Sequence, residues 1–585
     1  MDLENLYQIV CNFSPNIEQS KTFEKLSHWN AETNPLILRL PCGYGKTEAV
    51  IIPYLAQTVS GKWSLAPRLI YVLPTRALCN QIKERIQEYA DRIKEVTRKT
   101  LKVGIEHGVS SLDPLFFADV CVTTFDQFLY GYVRAKPQVG RHFDLPGGAI
   151  ANSIVVFDEA HLYSPYTHSL MRAMFEILHV SRIPLVVMTA TMPTTLEQDF
   201  FKSMGAPERI EFSGNWQEKL INRSIRWCQK DWSLLEDDKI SRPLEKLLNE
   251  NKSKKILLVV NRVDVAQRIV EYLKDRNDFI TLIHSRFTVD DREEKEKLVV
   301  TKFGKDSQEC GIVVSTQVCE VGLDISCDLL ITECASADAL IQRSGRVARW
   351  GKSGEIIIVR PMGTNGPIQD GEWGEAYPYV DRKRDEESEF EGIKTGEYAG
   401  ITWEYLKQRA PENLFTDWAA AADFCNQMKY HTDDVEARSA LGQLFDATLY
   451  ADERPWNLSA RGEMYCTIAI LSEEKMTQIE STQKPVRTKR GKKGINKSKS
   501  LPFEEMRKFL INLSFKYLIS KDTKHLRPYD YTEGVVGAAL GKGRPKPFQT
   551  YILDPFDHYD SDLGLRLAKR EEPEETEEGT SCLIL

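Results

Sequence analysis

Short apolar runs alternate with polar, helix-forming stretches over the first 360 residues of this 585-residue chain. The runs are rich in Val and Ile and fall into two groups of five. They are 36–40, 69–74, 119–125, 153–158 and 184–190, then 255–260, 279–284, 311–316, 329–333 and 354–359. Continuous apolar runs of this length are typical of central strands in a parallel sheet covered by helices on both faces. The pattern therefore predicts two α/β domains in series.

The rest of the chain changes character. Residues 1–215 and 216–364 are predicted as the two α/β domains, and the charged, Gly-rich segment 365–400 as a surface linker. Residues 401–585 are predicted as a mainly helical accessory domain. It holds a basic segment, 484–499, and ends in an acidic tail near 571–578. The basic segment allows two interpretations, a contact loop for DNA or a partner and a solvated linker.

Composition narrows the class of protein. There is no run of about 18 apolar residues and no secretory signal at the N-terminus, so neither a membrane span nor export is predicted. None of the 12 cysteines forms a CxxC pair, which favours reduced thiols in a cytoplasmic protein. The net charge of −8, taken alone, argues against a nucleic-acid partner. It is an average over the whole chain, however, and can conceal a local basic track.

A candidate phosphate loop, PCGYGKT (41–47), follows the first apolar run and precedes a helical stretch. Gly43 and Gly45 would let backbone N–H groups approach phosphate oxygens at a helix N-terminus. Lys46 would reach the outer phosphates of ATP, and the Thr47 hydroxyl would bind Mg²⁺. Position 40 is Leu where the strict pattern has Gly, which leaves a degenerate, non-hydrolysing loop open as an alternative.

Two further segments carry charges that suit nucleotide hydrolysis. Asp158 and Glu159 come directly after an apolar run, where parallel sheets place their ligand-binding groups. Asp158 would hold Mg²⁺ and Glu159 would deprotonate the attacking water. In QRSGRVAR (342–349), arginines recur every three residues and would share one face of a helix. Arginines reaching across a cleft can stabilise charge on a γ-phosphate.

These segments together resemble those of superfamily two DExH helicases. Other segments match in the same order: PTRAL (74–78), TTFDQ (123–127), TAT (189–191) and STQVCEVGLDIS (315–326). Finer details resemble the CRISPR-associated helicases of type I interference systems, namely KTEA (46–49), VNRVDVAQ (260–267) and LIHSRFTVDDR (282–292). The resemblance implies two tandem RecA-like domains and an ATP- and Mg²⁺-dependent 3′→5′ translocase on single-stranded DNA. It also implies recruitment to a DNA-bound Cascade complex.

The resemblance assigns roles to individual residues. Catalysis falls to Lys46, Asp158, Glu159, Arg346 and Arg349, and Mg²⁺ binding to Thr47 and Asp158. ATP binding falls to Gln19, Gly43, Tyr44, Gly45, Lys46, Thr47, Glu48, Asp324 and Gln342. Coupling between hydrolysis and movement falls to His161, Thr189 and Thr191. Nucleic-acid contacts fall to Thr75, Arg76, Thr124, Asn261, Arg262, Ser285, Arg286, Thr316 and Gln317.

Many members of this family carry a fused HD-type nuclease. None of the ten histidines in this chain is followed by Asp, so a stand-alone helicase of type I-A or I-D is expected, with the nuclease on another subunit. A monomer is expected. Two alternatives stay open at this point: a general DExH helicase acting on DNA or RNA outside CRISPR, and a DNA-clamping scaffold that does not hydrolyse ATP.

Overall fold

A computed structural model describes most of the chain. The described residues are 3–30, 33–41, 43–107, 110–134, 136, 139, 142–190, 192–212, 223–236, 239–276, 279–320, 322–381, 386–430, 432, 435, 438–439, 441–442, 465–481, 503–530, 535–547 and 549–568. The basic segment 484–499 and the acidic tail 571–578 lie outside them, so the two interpretations of the basic segment stay open.

The first α/β domain is built on an eight-stranded sheet. Its strands are β1 (Leu36–Arg39), β2 (Arg68–Leu73), β3 (Val103–His107), β4 (Ser110–Ser111), β5 (Val120–Thr124), β6 (Ser153–Phe157), β7 (Leu185–Thr189) and β8 (Glu208–Glu211). The order is β4-β3-β5-β2-β6-β7-β1-β8, parallel except for β4 at one edge. The five predicted strands are confirmed and occupy the centre, where β5, β6 and β7 are buried at every residue.

Helices cover both faces of this sheet. They are α1 (Leu3–Cys11), α2 (Ile17–Ser27), α3 (Lys46–Ser60), α4 (Arg76–Thr97), α5 (Phe125–Tyr132), α6 (Leu145–Ala151), α7 (Pro165–Val180) and α8 (Thr194–Ser203). Several begin at side-chain caps: Thr75 accepts from the amide of Leu78, and Ser164 from that of Thr167. Two apolar cores result, one on each face of the sheet.

The second α/β domain has a six-stranded parallel sheet in the order β13-β14-β12-β15-β16-β9. The strands are β9 (Arg223–Ser233), β12 (Lys255–Val259), β13 (Ile280–Ile283), β14 (Gly311–Ser315), β15 (Leu329–Glu333) and β16 (Lys352–Arg360). A hairpin, β10 (Leu235–Glu236) and β11 (Lys239–Ile240), lies beside them. The helices are α9 (Arg242–Glu250), α10 (Val263–Leu273), α11 (Val289–Phe303) and α12 (Ala337–Ser344). The five predicted strands are again present.

The segment 365–400 is packed rather than a surface linker. Trp373, Phe390 and Ile393 are buried in the same apolar core as the second sheet. The helices that follow, α13 (Tyr398–Gln408) and α14 (Trp418–Asn426), share that core through residues such as Phe424. The segment looked like a linker because its many charged residues surround a small number of large apolar anchors. The second domain therefore extends beyond the predicted boundary at 364.

The chain forms two compact units. The larger contains both parallel sheets and covers Met1–His284 and Glu294–Gly462, and the smaller contains Ser285–Glu293 and Glu463–Leu585. In the smaller unit a five-stranded mixed sheet has the order β18-β17-β21-β19-β20. The described elements of this smaller unit are β17 (Tyr465–Ile470), α15 (Glu473–Ser481), α16 (Phe503–Met506), β18 (Leu510–Ser514), α17 (Phe515–Ile519), β19 (Arg527–Asp530), β20 (Val535–Val536), β21 (Thr550–Leu553), β22 (Tyr559–Asp560) and β23 (Gly564–Leu565). Strands β22 and β23 pair with each other, apart from the five-stranded sheet. The predicted helices are accompanied by this sheet, which the helical prediction for 401–585 did not include.

Among the described residues, no helix is both long enough and apolar enough to cross a membrane. Of the ten cysteines described, none forms a disulfide.

Candidate active site

The loop between β1 and α3 has the backbone of a phosphate-binding loop. Gly43 and Gly45 have φ angles of +78° and +82°, a region that side chains rarely tolerate. A Cβ on Gly45 would lie 2.3 Å from the Gln19 Nε2 atom. Leu40 is fully buried and is not among the residues with positive φ, so this position needs no glycine. The departure at Leu40 therefore does not distort the loop.

Gln19 braces this loop from the neighbouring helix. It forms a capping box with Asn16, whose Oδ1 accepts from the Gln19 amide at 2.8 Å while Gln19 Oε1 accepts from the Asn16 amide at 2.9 Å. The Gln19 Nε2 group donates to the Gly45 carbonyl at 3.1 Å. Tyr44 is held in turn, because its hydroxyl donates to Glu18 at 2.9 Å. The loop is therefore positioned by side chains of α2.

Three charged groups meet where α3 begins and β6 ends. The Lys46 Nζ atom lies 3.4 Å from Glu159 Oε1, and the amide of Glu159 donates to Asp158 Oδ1 at 2.8 Å. Glu159 has a φ of +50°, a strained angle of the kind that clusters at functional sites. Its Oε2 atom is buried without a hydrogen-bond partner among the described residues. That oxygen can accept a proton from a water held beside the phosphate loop.

The pKa values of the two carboxylates are shifted in opposite directions. Burial raises the pKa of Asp158 to about 6, and the Glu159 carboxylate adds to the rise. Burial also opposes ionisation of Glu159, but the Lys46 ammonium and other nearby positive groups together outweigh it, and the pKa of Glu159 lies below its usual value. The lowered pKa of Glu159 suits a general base, which must be ionised at neutral pH. The raised pKa of Asp158 suits a cation ligand, because a bound cation would stabilise its ionised form.

The donor groups next to Asp158 fit Mg²⁺. The Tyr71 hydroxyl donates to Asp158 Oδ2 at 2.7 Å and lies 3.5 Å from the Thr47 hydroxyl. The Tyr71 hydroxyl thus lies close to both predicted Mg²⁺ ligands, Asp158 and Thr47. Their oxygen atoms are therefore near each other, and both residues are buried. Mg²⁺ is commonly held by one or two such protein oxygens together with substrate phosphates. Bound there, it would neutralise charge on the outer phosphates of ATP.

His161 links the acidic strand end to both domains. Its Nδ1 atom lies 2.9 Å from the Thr189 hydroxyl, and its Nε2 atom contacts the side-chain amide of Gln342 from the second domain. Burial lowers the pKa of His161, so the ring is neutral at pH 7. We assign the proton to Nδ1, which leaves Nε2 to accept from Gln342. The predicted coupling residues His161 and Thr189 are thus joined, whereas Thr191 lies outside the described residues.

The arginine segment does not form one helical face, because α12 ends at Ser344. Arg346 donates to the carbonyls of Cys319 and Glu320 at 2.9 and 2.7 Å, and its charge helps to lower the pKa of Glu159. Arg349 pairs with Asp324 at 3.0 Å. The charge of Arg346, in the second domain, therefore reaches Glu159, the predicted general base of the first domain, and Arg349 and Asp324 pair with each other.

Glu48, predicted as an ATP ligand, lies in the first turn of α3 and is engaged by side chains of α4. It accepts from the Tyr89 hydroxyl at 2.7 Å and lies 3.6 Å from Arg85, both on α4. The residue therefore joins α3 to α4.

Comparisons with known proteins agree with this geometry. The family model for DEAD/DEAH box helicases matches residues 16–199, and the model for the C-terminal part of the CRISPR-associated nuclease/helicase Cas3 matches residues 252–352. The CRISPR-associated helicase Cas3 of Thermoproteus tenax is 28% identical over 466 residues, covering 77% of this chain and 74% of the relative. The chain is similar to Cas3 helicases across both α/β domains.

Further relatives and solved structures agree. The CRISPR-associated endonuclease/helicase Cas3 of Escherichia coli is 27% identical over 387 residues, 57% of this chain and 42% of that protein. The crystal structure of T. fusca Cas3 with AMPPNP superposes with a TM-score of 0.65 at 18% identity, covering 94% of this chain and 68% of that one. This structural likeness concerns the fold. The Cas3-like chain spans less than half the length of several curated relatives.

The residues predicted to contact nucleic acid lie at the ends of parallel strands. They follow or end β2, β5, β12, β13 and β14, as Thr75, Arg76, Thr124, Asn261, Arg262, Ser285, Arg286, Thr316 and Gln317. Because carboxyl ends of parallel strands meet at one edge of a sheet, each sheet gathers its set at one edge. Most of these side chains also have roles within the fold.

The role of Asn261 is the clearest case. Its Nδ2 group donates to the Cys334 carbonyl at 2.8 Å, and its own carbonyl accepts from Gln317 at 2.9 Å. Arg262 forms two hydrogen bonds with Asp264. Asn261 and Gln317 therefore shape the strand ends of the Cas3-like chain and leave backbone groups as the main candidates for phosphate contacts.

Two predicted contacts belong to the smaller unit. Ser285 is exposed, and the guanidinium of Arg286 lies 4.0 Å from the ring centre of Tyr517. The carbonyl of Arg286 accepts from the amide of Leu565 at 2.9 Å.

A buried network around Arg343 was not predicted. Arg343 is fully buried, pairs with Glu320 at 2.8 Å and donates to the Thr332 hydroxyl at 2.7 Å. It also donates to the side chains of Asn261 at 3.1 Å and Tyr379 at 2.8 Å. In sequence Arg343 looks like one more member of the arginine series, and only its burial reveals its structural role. The network joins α12 to the strand ends of the second sheet.

Replacing Arg343 by Met should lower the free energy of unfolding by about 3–5 kcal/mol, because it strands the buried Glu320 carboxylate without its partner. The matched control is Arg409→Met, which breaks a pair with Glu389 that is about half exposed on both sides. That change should cost less than about 1 kcal/mol. Urea unfolding of both variants measures the difference. Equal losses would contradict the structural role given to Arg343.

Proposed function

We propose that this Cas3-like chain is an ATP-dependent translocase and helicase on single-stranded DNA. It moves 3′→5′ and unwinds target DNA in type I CRISPR interference, after recruitment to a DNA-bound Cascade complex. ATP and Mg²⁺ occupy the cleft between the two α/β domains. The nuclease is on another subunit. Direction, recruitment and the separate nuclease rest on the family resemblance.

The observation that supports this function best is the cleft itself. Lys46 pairs with Glu159 in the first domain, and the charge of Arg346 in the second domain helps to lower the pKa of Glu159. Gln342 of the second domain contacts His161 of the first. Hydrolysis at such a site depends on the two domains being closed, since neither domain holds all the groups. A site assembled by closure converts the ATP cycle into relative domain motion, which is what a translocase needs.

A general helicase is the second candidate. The ATP-dependent RNA helicase dbp8 of Schizosaccharomyces pombe is 25% identical over 341 residues, and the chain resembles the DNA-bound DUF1998 helicase MrfA in fold with a TM-score of 0.54. The two motor domains alone therefore suit either RNA or DNA. The Cas3 similarities, which extend over 77% of the chain in the T. tenax relative, favour the CRISPR function.

The nucleic acid that stimulates ATP hydrolysis more strongly distinguishes the CRISPR helicase from the general helicase. We expect single-stranded DNA to stimulate ATP hydrolysis at least about tenfold more than RNA of the same sequence, because the proposed target is the displaced DNA strand. The measurement is steady-state phosphate release with matched oligonucleotides over a range of salt concentrations, since phosphate contacts weaken with salt. A preference for RNA would favour the general helicase.

The proposal that the nuclease is on another subunit can be tested with the same purified protein. Among the described residues there is no group of three or more His, Cys, Asp or Glu side chains placed to hold a metal. Incubation of the purified chain with single-stranded DNA and Mg²⁺, Mn²⁺, Ni²⁺ or Co²⁺ should leave the DNA intact. Degradation by a preparation free of contaminating nuclease would overturn this part of the proposal.

A further inference from the structure

Described residues between the end of α14 and Leu441 contact both α/β domains, which belong to one compact unit. Upstream, Phe424 and Met428 are buried in the core of the second sheet. Downstream, Leu441 is buried in a core of the first sheet. We name the described residues that make these interdomain contacts the interdomain strap; they are Asn426, Tyr430, Thr432, Arg438 and Leu441.

Asn426 caps a helix of the first domain. Helix α8 begins at Thr194, and Pro193 at its N-cap provides no side-chain acceptor. Asn426 Oδ1 accepts from the Thr194 amide at 3.0 Å and from its hydroxyl at 2.9 Å. Asn is among the best acceptors for such amides, and here it comes from the other domain. Thr194 lies five residues after Thr189, the partner of His161.

Thr432 is held by two charged side chains of the first domain. Its hydroxyl accepts from Arg172 at 2.6 Å and donates to Asp199 at 2.8 Å. The Thr432 side chain is buried, and Arg438 adds an ion pair with Glu176 of α7. The strap is thus attached to α7 and α8, the helices that flank β7.

Tyr430 attaches the strap to the second domain. Its hydroxyl donates to Asp338 Oδ1 at 2.7 Å, in the first turn of α12. Asp338 and Gln342 are four residues apart and lie on one face of that helix. Gln342 is the residue that contacts His161 across the cleft. The ring of Tyr430 also lies 6.1 Å from that of His168, whose Nε2 contacts the Ala160 carbonyl between Glu159 and His161.

We propose that the interdomain strap positions α12 against the first domain, and that Tyr430 and Asn426 are positioning residues for the ATPase cycle. The strap favours the arrangement in which Gln342 meets His161, so that binding of ATP has less domain motion to drive. This inference rests on the proposed function for its kinetic consequences. The structural part of the inference, that the strap restrains α8 and α12, does not depend on the proposed function.

The test compares two Tyr→Phe substitutions, each of which removes one hydroxyl group. Tyr430→Phe removes the bond to Asp338 between strap and α12. Tyr405→Phe removes a bond to Asp423 at 3.0 Å, where both partners are on α13 and α14. Because a smaller closed population lowers apparent ATP affinity, Tyr430→Phe should raise KM for ATP about tenfold or more and leave kcat at saturating ATP within about twofold. Tyr405→Phe should change neither.

A second measurement does not depend on hydrolysis. In nucleotide-free protein, hydrogen exchange followed by mass spectrometry should be faster over 337–344 in Tyr430→Phe, and faster at the start of α8 in Asn426→Ala, than in the wild type. Tyr405→Phe should leave both regions unchanged.

The outcomes are distinguishable. If the wild type hydrolyses ATP but Tyr430→Phe behaves like Tyr405→Phe, or lowers kcat without changing KM, the positioning role is wrong. If exchange in the two helices is unchanged in Tyr430→Phe and Asn426→Ala, the strap does not restrain them and the proposal fails. If the wild type hydrolysed no ATP, the proposed function would fail, and the exchange data alone would decide the strap.

Discussion

Replacing Lys46 by Ala should lower ATP turnover by about 10³-fold or more, because it removes the ammonium group at the position of the outer phosphates. The same group lowers the pKa of Glu159, so its loss should raise the pKa of this proposed general base. Binding of single-stranded DNA should stay within about twofold of the wild type, because the predicted strand contacts lie on other strand ends. Phosphate release and fluorescence anisotropy measure the two quantities.

Lys99→Ala is the matched control for this change. Lys99 donates to the carbonyls of Thr58 and Val59 at the opposite end of α3, at 3.0 and 2.8 Å. It therefore interacts with the same helix but has no access to the phosphate loop. Its removal should leave turnover within about twofold. Turnover that survived in Lys46→Ala would show that hydrolysis occurs elsewhere in the chain.

Replacing Arg346 by Gln should reduce kcat by about 10³–10⁵-fold, the range for arginines that neutralise charge on a transferring phosphoryl group. Arg346 is the arginine of the second domain whose charge reaches Glu159 in the first. KM for ATP should change little, since the interaction strengthens only as charge develops. Steady-state kinetics separate the two constants.

Arg409→Gln provides the surface control for Arg346, and the thermal midpoint of both variants checks that the fold is retained. Arg346 also donates to two backbone carbonyls, so the comparison must be made on folded protein. A folded Arg346→Gln variant with normal kcat would remove this residue from the catalytic site.

The central strands of both sheets were predictable because each is buried on both faces. The strands Val120–Thr124 and Gly311–Ser315, for example, are continuous apolar runs buried throughout. The edge strands β8 and β9 were not predicted. Arg223–Ser233 mixes charged and apolar residues because one side faces solvent, and Glu208–Glu211 is mostly exposed. Neither has the apolar continuity on which the sequence prediction relied.

The candidate site was predictable where its chemistry depends on local sequence. The glycines of the phosphate loop and the adjacent acids Asp158 and Glu159 follow apolar runs, so their place at strand ends follows from the fold class. The sequence alone could not distinguish the role of Arg343 from that of Arg346, because both belong to one series of arginines spaced three residues apart. Only tertiary packing distinguishes Arg343, which is fully buried, from Arg346, which is partly exposed.

Long-range contacts were the least predictable. The packing of Trp373 into the second core, the sheet of the smaller unit and the bond from Tyr430 to Asp338 each join residues far apart in sequence or hidden among charged neighbours. No short pattern encodes such pairings.

The central claim is that ATP hydrolysis in the cleft drives the chain 3′→5′ along single-stranded DNA. The most direct test measures displacement of streptavidin from DNA biotinylated at either end. The wild type should displace it from the 5′ end faster than from the 3′ end, and only with ATP and Mg²⁺, whereas Lys46→Ala should displace it from neither. Displacement from the 3′ end alone would contradict the polarity, and active hydrolysis without displacement from either end would contradict the claim that this chain is a translocase.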